Sequence, residues 1–237
     1  MQKIAIIIPC YNEEKRLKES SIKELIQNTS ATIFLANDGS KDKTLDIIEK
    51  ISLQNPSRIY VIDYKENQGK SNTIYKSVNQ VLDRKEYDFI GYFDADFSTP
   101  VSEMLKLIDR LEDKENFFLF GSRVLLLNTK IERKWYRHII GRVIVTLINF
   151  KFKLGIYDTQ CGAKFFSPSL AKIAFEKPFF TSWLFDVEVF IRLKNIKMLH
   201  YGVEIPLMKW KDVDGSKLSW RTGFKIFREL FLLSKNY

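Results

Sequence analysis

Apolar positions in the first half of the chain fall into short, nearly continuous runs. Residues 3–9 carry Ile4, Ile6, Ile7 and Ile8 and stop at Pro9; 32–36, 58–64 and 88–93 are runs of the same kind. Runs this short, apolar on both faces, predict strands buried on both sides, as in a parallel sheet covered by helices. The stretches between them read as helices. Asn12 is placed to cap the first, with Glu13 and Glu14 in its opening turn, where the helix dipole favours carboxylates. Leu45, Ile47, Ile48 and Ile51 mark a second, 68–82 a third, and Pro100 opens a fourth that runs to Leu111. This alternation predicts an α/β fold, a doubly wound, mostly parallel, Rossmann-like sheet.

In such a sheet ligands bind beyond the carboxyl ends of the strands. The polar clusters at 11–13, 37–40, 66–70 and 94–98 all follow predicted strands, so they converge on one crevice. No repeat or Pro/Ser-rich linker divides the chain. We expect residues 1–118 and 119–215 to be two halves of the same domain, and 216–237 an amphipathic C-terminal helix.

Charge sharpens that division. Of 38 basic and 29 acidic residues, 17 and 20 lie in 1–118 (net −3), and 21 and 9 in 119–237 (net +12). The second half therefore suits an anionic partner, with a merely soluble basic surface as the plainer alternative. The 237 residues are 45% hydrophobic, enough for a sizeable core and incompatible with a disordered chain. Two cysteines make no disulfide framework. The longest apolar run, 143–150, is far short of the roughly 20 residues of a membrane span, and no secretory signal is expected. The expected location is cytoplasmic.

Asp94-Ala95-Asp96 carries the strongest chemistry. Residues two apart on an extended segment point the same way, so both carboxylates can share a hard divalent cation, Mg²⁺ or Mn²⁺, with substrate phosphates completing its shell. Gly69-Lys70-Ser71 is no Walker A loop, because the required upstream glycine is Tyr64; it still suits an anion at a helix N-terminus. Arg123, Lys130, Arg133, Lys134, Arg137 and Arg142 fall within twenty residues against the single acid Glu132, and a helix there would make a basic stripe. Near the C-terminus, Phe224, Phe227, Leu230 and Phe231 form one face and Arg221, Lys225 and Arg228 another. That pattern fits either an interfacial helix or one packed on the domain. His138 and His200 have no zinc-site spacing.

Taken together, Ile6-Ile7-Ile8-Pro9-Cys10-Tyr11-Asn12-Glu13-Glu14, Asn37-Asp38-Gly39-Ser40, Asn67-Gln68-Gly69-Lys70 and Asp94-Ala95-Asp96 resemble the GT-A-type family 2 glycosyltransferases. Gly121-Ser122-Arg123, Asp158-Thr159-Gln160-Cys161-Gly162, the Trp183/Phe185/Asp186/Glu188 cluster, Trp210 and Asp214-Gly215-Ser216-Lys217 resemble the dolichyl- and polyprenyl-phosphate hexose synthase branch. The resemblance implies a GT-A sheet with a basic helical C-terminal extension, residues 1–118 as the nucleotide-sugar-binding half and 119–215 as the acceptor-binding half, and inverting transfer of a hexose from a nucleotide-sugar to a polyprenyl phosphate. By matching motif, Pro9, Tyr11, Glu13, Asp38, Lys70 and Asp94 would hold the nucleotide-sugar. Asp94 and Asp96 would hold the metal, and Arg123, with Arg133 or Arg137, the acceptor phosphate. Asp96, Arg123 and Asp186 are the expected catalytic set. Mannose-type relatives often carry Gln where this chain has Ser98, and the run at 158–162 looks closer to glucosyl-type relatives; UDP-glucose is thus favoured over GDP-mannose.

A phosphate monoester has a second pKa near ~6, so it is largely deprotonated at neutral pH and needs no general base. The alternative is extension of a cell-surface glycan hydroxyl, which would need one, with Asp186 or Glu188 as candidates. No nucleic-acid motif is present and none is expected as a partner. The implied location is peripheral, on the cytosolic face of a membrane.

Overall fold

The computed structural model describes residues 2–112, 115–213 and 220–237, with side chains in the last stretch from 225 onward. The first half alternates as the pattern requires. It runs β1 (Ile4–Cys10), α1 (Glu19–Asn28), β2 (Thr32–Asp38), α2 (Thr44–Gln54), β3 (Ile59–Tyr64), α3 (Lys70–Leu82), β4 (Phe89–Phe93) and α4 (Val101–Ile108). The second half adds β5 (Phe118–Ser122), β6 (Lys130–Glu132), α5 (Trp135–Phe152), β7 (Ala163–Phe166), α6 (Pro168–Ala174) and α7 (Phe185–Asn195). It closes with β8 (Gly202–Pro206), β9 (Lys209–Lys211) and α8 (Trp220–Asn236).

Seven strands form one sheet in the order β3-β2-β1-β4-β7-β5-β8, and β6 pairs with β9 beside it. β1 to β4 are mutually parallel, and β7 alone runs against its neighbours β4 and β5. Alternation along the strands divides the core. Ala5 and Ile7 face a layer built from α3, α6 and α7 with parts of α5 and α8, whereas Ile4, Ile6 and Ile8 face α1, α2 and α4. The heavy aromatic load is concentrated in the first layer, where Phe118, Phe166 and Phe190 pack with ring centroids 5.8 and 6.1 Å apart.

Three expectations are corrected. The first helix begins at Glu19, not behind Asn12, which adopts φ +53°. Its N–H donates to Ser40 Oγ (3.1 Å) and its Oδ1 accepts from Lys41 N–H (2.9 Å), so docking of two strand-end loops overrides helix capping. Pro100 is the cap of α4 rather than its first residue, and α4 ends at Ile108 rather than Leu111. The basic stripe does not form, because Lys130 pairs in β6 and α5 starts only at Trp135.

The C-terminal helix packs on the domain: Ile226 and Leu233 are buried in the α3/α6/α7 layer, while Phe227 and Phe231 stay exposed. Asp214-Gly215-Ser216-Lys217 and the side chains of Arg221 and Phe224 lie outside the described residues. Among the described residues, no helix is long and apolar enough to cross a membrane.

Candidate active site

Parallel pairing brings the carboxyl ends of β1 to β4 to one edge, each followed by a left-handed residue: Asn12 (φ +53°), Gly39 (+62°), Gly69 (+85°) and Phe97 (+51°). These abrupt turns lift the polar clusters into the crevice. Gly39 also has no room for a side chain, since a Cβ there would sit 2.5 Å from the Asn67 backbone nitrogen. The two motif runs, 37–40 and 66–70, are therefore in direct backbone contact.

Asp38 is buried at this contact and accepts hydrogen bonds from Gln68 N–H (2.8 Å), Gly69 N–H (2.9 Å) and Asn67 Nδ2 (3.0 Å). It fixes the loop that opens α3 at Lys70. Glu13 is also buried, bound by Arg16 through Nε (2.8 Å) and Nη2 (2.6 Å). Burial pushes its carboxyl up, against the pull of Arg16 and with the help of Asp96 and Asp94. Pro9 is the last residue but one of β1, and Tyr11 begins the loop after it.

Asp94 pairs with Lys70 Nζ, and its N–H donates to Gly162 O (3.1 Å). A Cβ at 162 would lie 2.0 Å from Asp94 Oδ2, which explains the glycine that ends the 158–162 run. Asp96 accepts from Ser98 N–H (2.9 Å), and burial followed by the charge of Asp94 raises its pKa. Two adjacent carboxylates, one of them raised by burial and by the other's charge, make a donor set suited to a divalent cation. No group of three acidic, His or Cys ligands occurs among the described residues, so any ion would take its remaining ligands from substrate and water.

Beyond the aspartates opens a cavity of about 330 Å³. Its lining brings Lys70, Asp94 and Asp96 together with Arg123, Arg133 and Arg137, alongside the apolar Ile140, Ile144, Val145, Trp183 and Ile226. The three arginines differ. Arg123 donates from N–H (3.0 Å), Nε (2.7 Å) and Nη2 (2.8 Å) to buried Asp158, and its guanidinium stacks 5.2 Å from the Trp210 ring. Burial works against the Asp158 charge, yet Arg123 holds that carboxyl well below the usual range. Arg137 donates to Asp212 Oδ1 (2.7 Å). Arg133 makes no ion pair among the described residues; burial and then the charge of Arg123 lower its pKa to about 10. An anion bound beside it would offset both effects.

Asp186 lines the same cavity but is 3% exposed, with Oδ1 accepting from Tyr92 OH (2.5 Å) and pairing with Lys164 Nζ (2.7 Å). Lys164 is fully buried and also donates to Cys161 O (2.5 Å). Glu188 is not at the cavity: it is fully buried, paired with Arg192 (2.7 Å), and accepts from Phe180 N–H (3.0 Å) and Tyr237 OH (3.0 Å). Its role is structural. Sequence reasoning gave no role to Asp158 or Gly162, although both lie in a quoted motif, and missed Tyr92, Lys164 and Glu229, whose partners are distant in the chain.

Residues 5–174 match the model of Glycosyl transferase family 2. The chain is 28% identical to the dolichyl-phosphate beta-glucosyltransferase of Drosophila melanogaster, covering 99% of this chain and 75% of that one. It is likewise 28% identical to that of Saccharomyces cerevisiae, with 99% and 75% covered. Among solved structures it is similar to glucosyl-3-phosphoglycerate synthase of Mycobacterium tuberculosis in complex with Mn²⁺ and UDP-glucose (TM-score 0.63, 14% identity, 97% of this chain and 77% of that one). It also resembles mannosyl-3-phosphoglycerate synthase of Rubrobacter xylanophilus (TM-score 0.68, 14% identity, 99% and 74%). These likenesses identify the fold as GT-A.

Proposed function

Because this chain belongs to glycosyl transferase family 2, we propose that it transfers glucose from a nucleotide-sugar, UDP-glucose rather than GDP-mannose, to a polyprenyl or dolichyl phosphate with inversion. One observation carries the reading. A single cavity joins the Asp94/Asp96 pair to Arg133, a partly buried cation without a carboxylate partner among the described residues, beside apolar lining able to take the start of a prenyl chain.

In this reading Asp94 and Asp96 hold Mg²⁺ or Mn²⁺, which, when bound, neutralises charge on the nucleoside diphosphate as it leaves. Pro9, Tyr11 and Glu13 border the nucleotide, Asp38 orders the loop beneath it, and Lys70 turns from Asp94 toward the diphosphate. Arg133 takes the acceptor phosphate, with Arg137 beside it and Arg123, braced by Asp158, supplying fixed positive potential. The acceptor oxygen arrives already deprotonated, so the protein only has to aim it. Asp186 suits this scheme as a fixed anion, since Tyr92 and Lys164 already occupy Oδ1. Extension of a glycan hydroxyl would ask the same carboxylate to accept a proton, against the neighbouring ammonium.

The basic half also favours a membrane surface. On α5, Trp135, Ile139, Val143, Leu147 and Phe150 recur at helical spacing and are 40–85% exposed, near the exposed run Leu125, Leu126 and Leu127. We place the enzyme peripherally on the cytosolic face, with this stripe at the lipid interface and Phe227 and Phe231 of α8 as a second contact.

The test is incubation with sugar-labelled UDP-glucose or GDP-mannose, polyprenyl phosphate and Mg²⁺ or Mn²⁺. Label from UDP-glucose should enter the organic extract and be lost with chelator. Label confined to water-soluble glycans would overturn the acceptor, and undiminished transfer under chelation would overturn the metal.

A further inference from the structure

The segment entering α7 forms one wall of the cavity through Ser182, Trp183 and Leu184. A loop at a helix start has backbone N–H groups with no partner inside the helix, and here they are met by two carboxylates. Glu188, on α7 itself, takes Phe180 N–H at 3.0 Å. Glu229 comes from α8, 45 to 47 residues away in the chain, and takes three more. Its Oε1 accepts from Ser182 N–H (3.2 Å) and Oγ (2.9 Å), and its Oε2 from Trp183 N–H (2.9 Å) and Leu184 N–H (2.8 Å). Glu229 is 5% exposed, and Ile226, one turn before it, lines the same cavity.

We propose that Glu229 is a positioning residue for acceptor binding: its carboxylate, four hydrogen bonds deep at the N-terminus of α7, locks the 182–184 wall against which the first isoprene units of the acceptor lie. The C-terminal helix is then part of the active site's construction rather than an appended surface element. An anion at this place is stabilised by the aligned N–H groups and holds them in return. The wall it sets is apolar (Trp183, Leu184, Ile226), which suits a prenyl chain better than a nucleotide-sugar, so its loss should affect the acceptor more than the donor.

This inference rests on the polyprenyl-phosphate reading, and full-length Glu229→Gln and Glu229→Asp test it beside wild type. Gln puts an NH₂ donor against N–H donors and forfeits about two of the bonds. At typical net hydrogen-bond strengths the acceptor KM should rise about tenfold. The UDP-glucose KM should stay within twofold, and amide exchange at 182–184 should accelerate relative to β1. Asp keeps the charge and should restore most of the acceptor KM even if Gln folds poorly. An unchanged acceptor KM, or equal rises in donor and acceptor KM, would overturn the positioning role. Wild type inert toward polyprenyl phosphate would instead sink the functional reading, while exchange at 182–184 would still judge the clasp.

Discussion

A single added methyl group at Gly162 should disable the site while leaving the fold in place. Its Cβ would lie 2.0 Å from Oδ2, 2.3 Å from Cγ and 2.6 Å from Oδ1 of Asp94, where ordinary contact begins at 3.4 Å. The whole carboxyl must retreat, Oδ2 by the difference between 3.4 and 2.0 Å, about 1.4 Å. Gly162 has no left-handed backbone to strain, and the Asp94 side chain is 37% exposed, so it can swing outward. That rotamer change costs about 0.5–1.5 kcal/mol, or a few degrees in Tm for a chain of this size. The functional cost is larger: a displacement of about 1 Å in a catalytic constellation costs on the order of 10²-fold, about 2.7 kcal/mol of barrier. Gly162→Ala should therefore lower kcat about a hundredfold and weaken Mn²⁺ binding in the presence of UDP, read by electron paramagnetic resonance, with little change in melting. Wild-type Mn²⁺ affinity and turnover would mean that Asp94 keeps its place or that its place does not matter. A fall of more than about 10 °C in Tm would mean a packing defect rather than a displaced ligand.

Four further outcomes are expected. Arg133→Gln should raise the acceptor KM at least tenfold with donor affinity intact; equal loss of both would remove Arg133 from the acceptor site. Asp158→Asn strands the buried Arg123 charge and should cost about 3–5 kcal/mol in denaturant unfolding, whereas Arg123→Met/Asp158→Leu should cost less than Asp158→Asn alone. Because the folded Asp158 carboxyl titrates far below its unfolded value of about 3.9, its stabilisation is complete above about pH 5 and drains away as pH falls further. The acid limb of the unfolding profile should flatten in Asp158→Asn. Transfer should itself decline below about pH 6 as the acceptor phosphate protonates, and Asp186→Asn should not abolish it; a dead Asp186→Asn would favour a hydroxyl acceptor.

Local pattern was enough for the strands of the first half. Continuous apolar runs can only be buried between two layers, so β1 to β4, their order of appearance and the edge at which their polar clusters meet all followed from residue types and spacing. That Asp94 and Asp96 would stand together in that crevice was legible too, from two like charges placed behind a core strand. The second half was not readable in that way. β5, β7 and β8 are short, β7 is antiparallel to both of its neighbours, and their pairing depends on partners far apart in the chain.

Tertiary structure alone decided which charges are spent and which remain. In the chain, Arg123, Arg133 and Arg137 are three similar cations; in the fold Asp158 and Asp212 engage two of them, leaving Arg133 without an ion pair among the described residues. Asp186 and Glu188 are neighbours in sequence, yet helix geometry sends one to the cavity and the other into a structural clasp. Asn12 looked like a helix cap until a loop from the next strand claimed its hydrogen bonds. Spacing along a chain determines what a segment buries, because burial is a property of its own periodicity. The partner of a buried charge is set by distance in space, and that exists only once the sheet has closed.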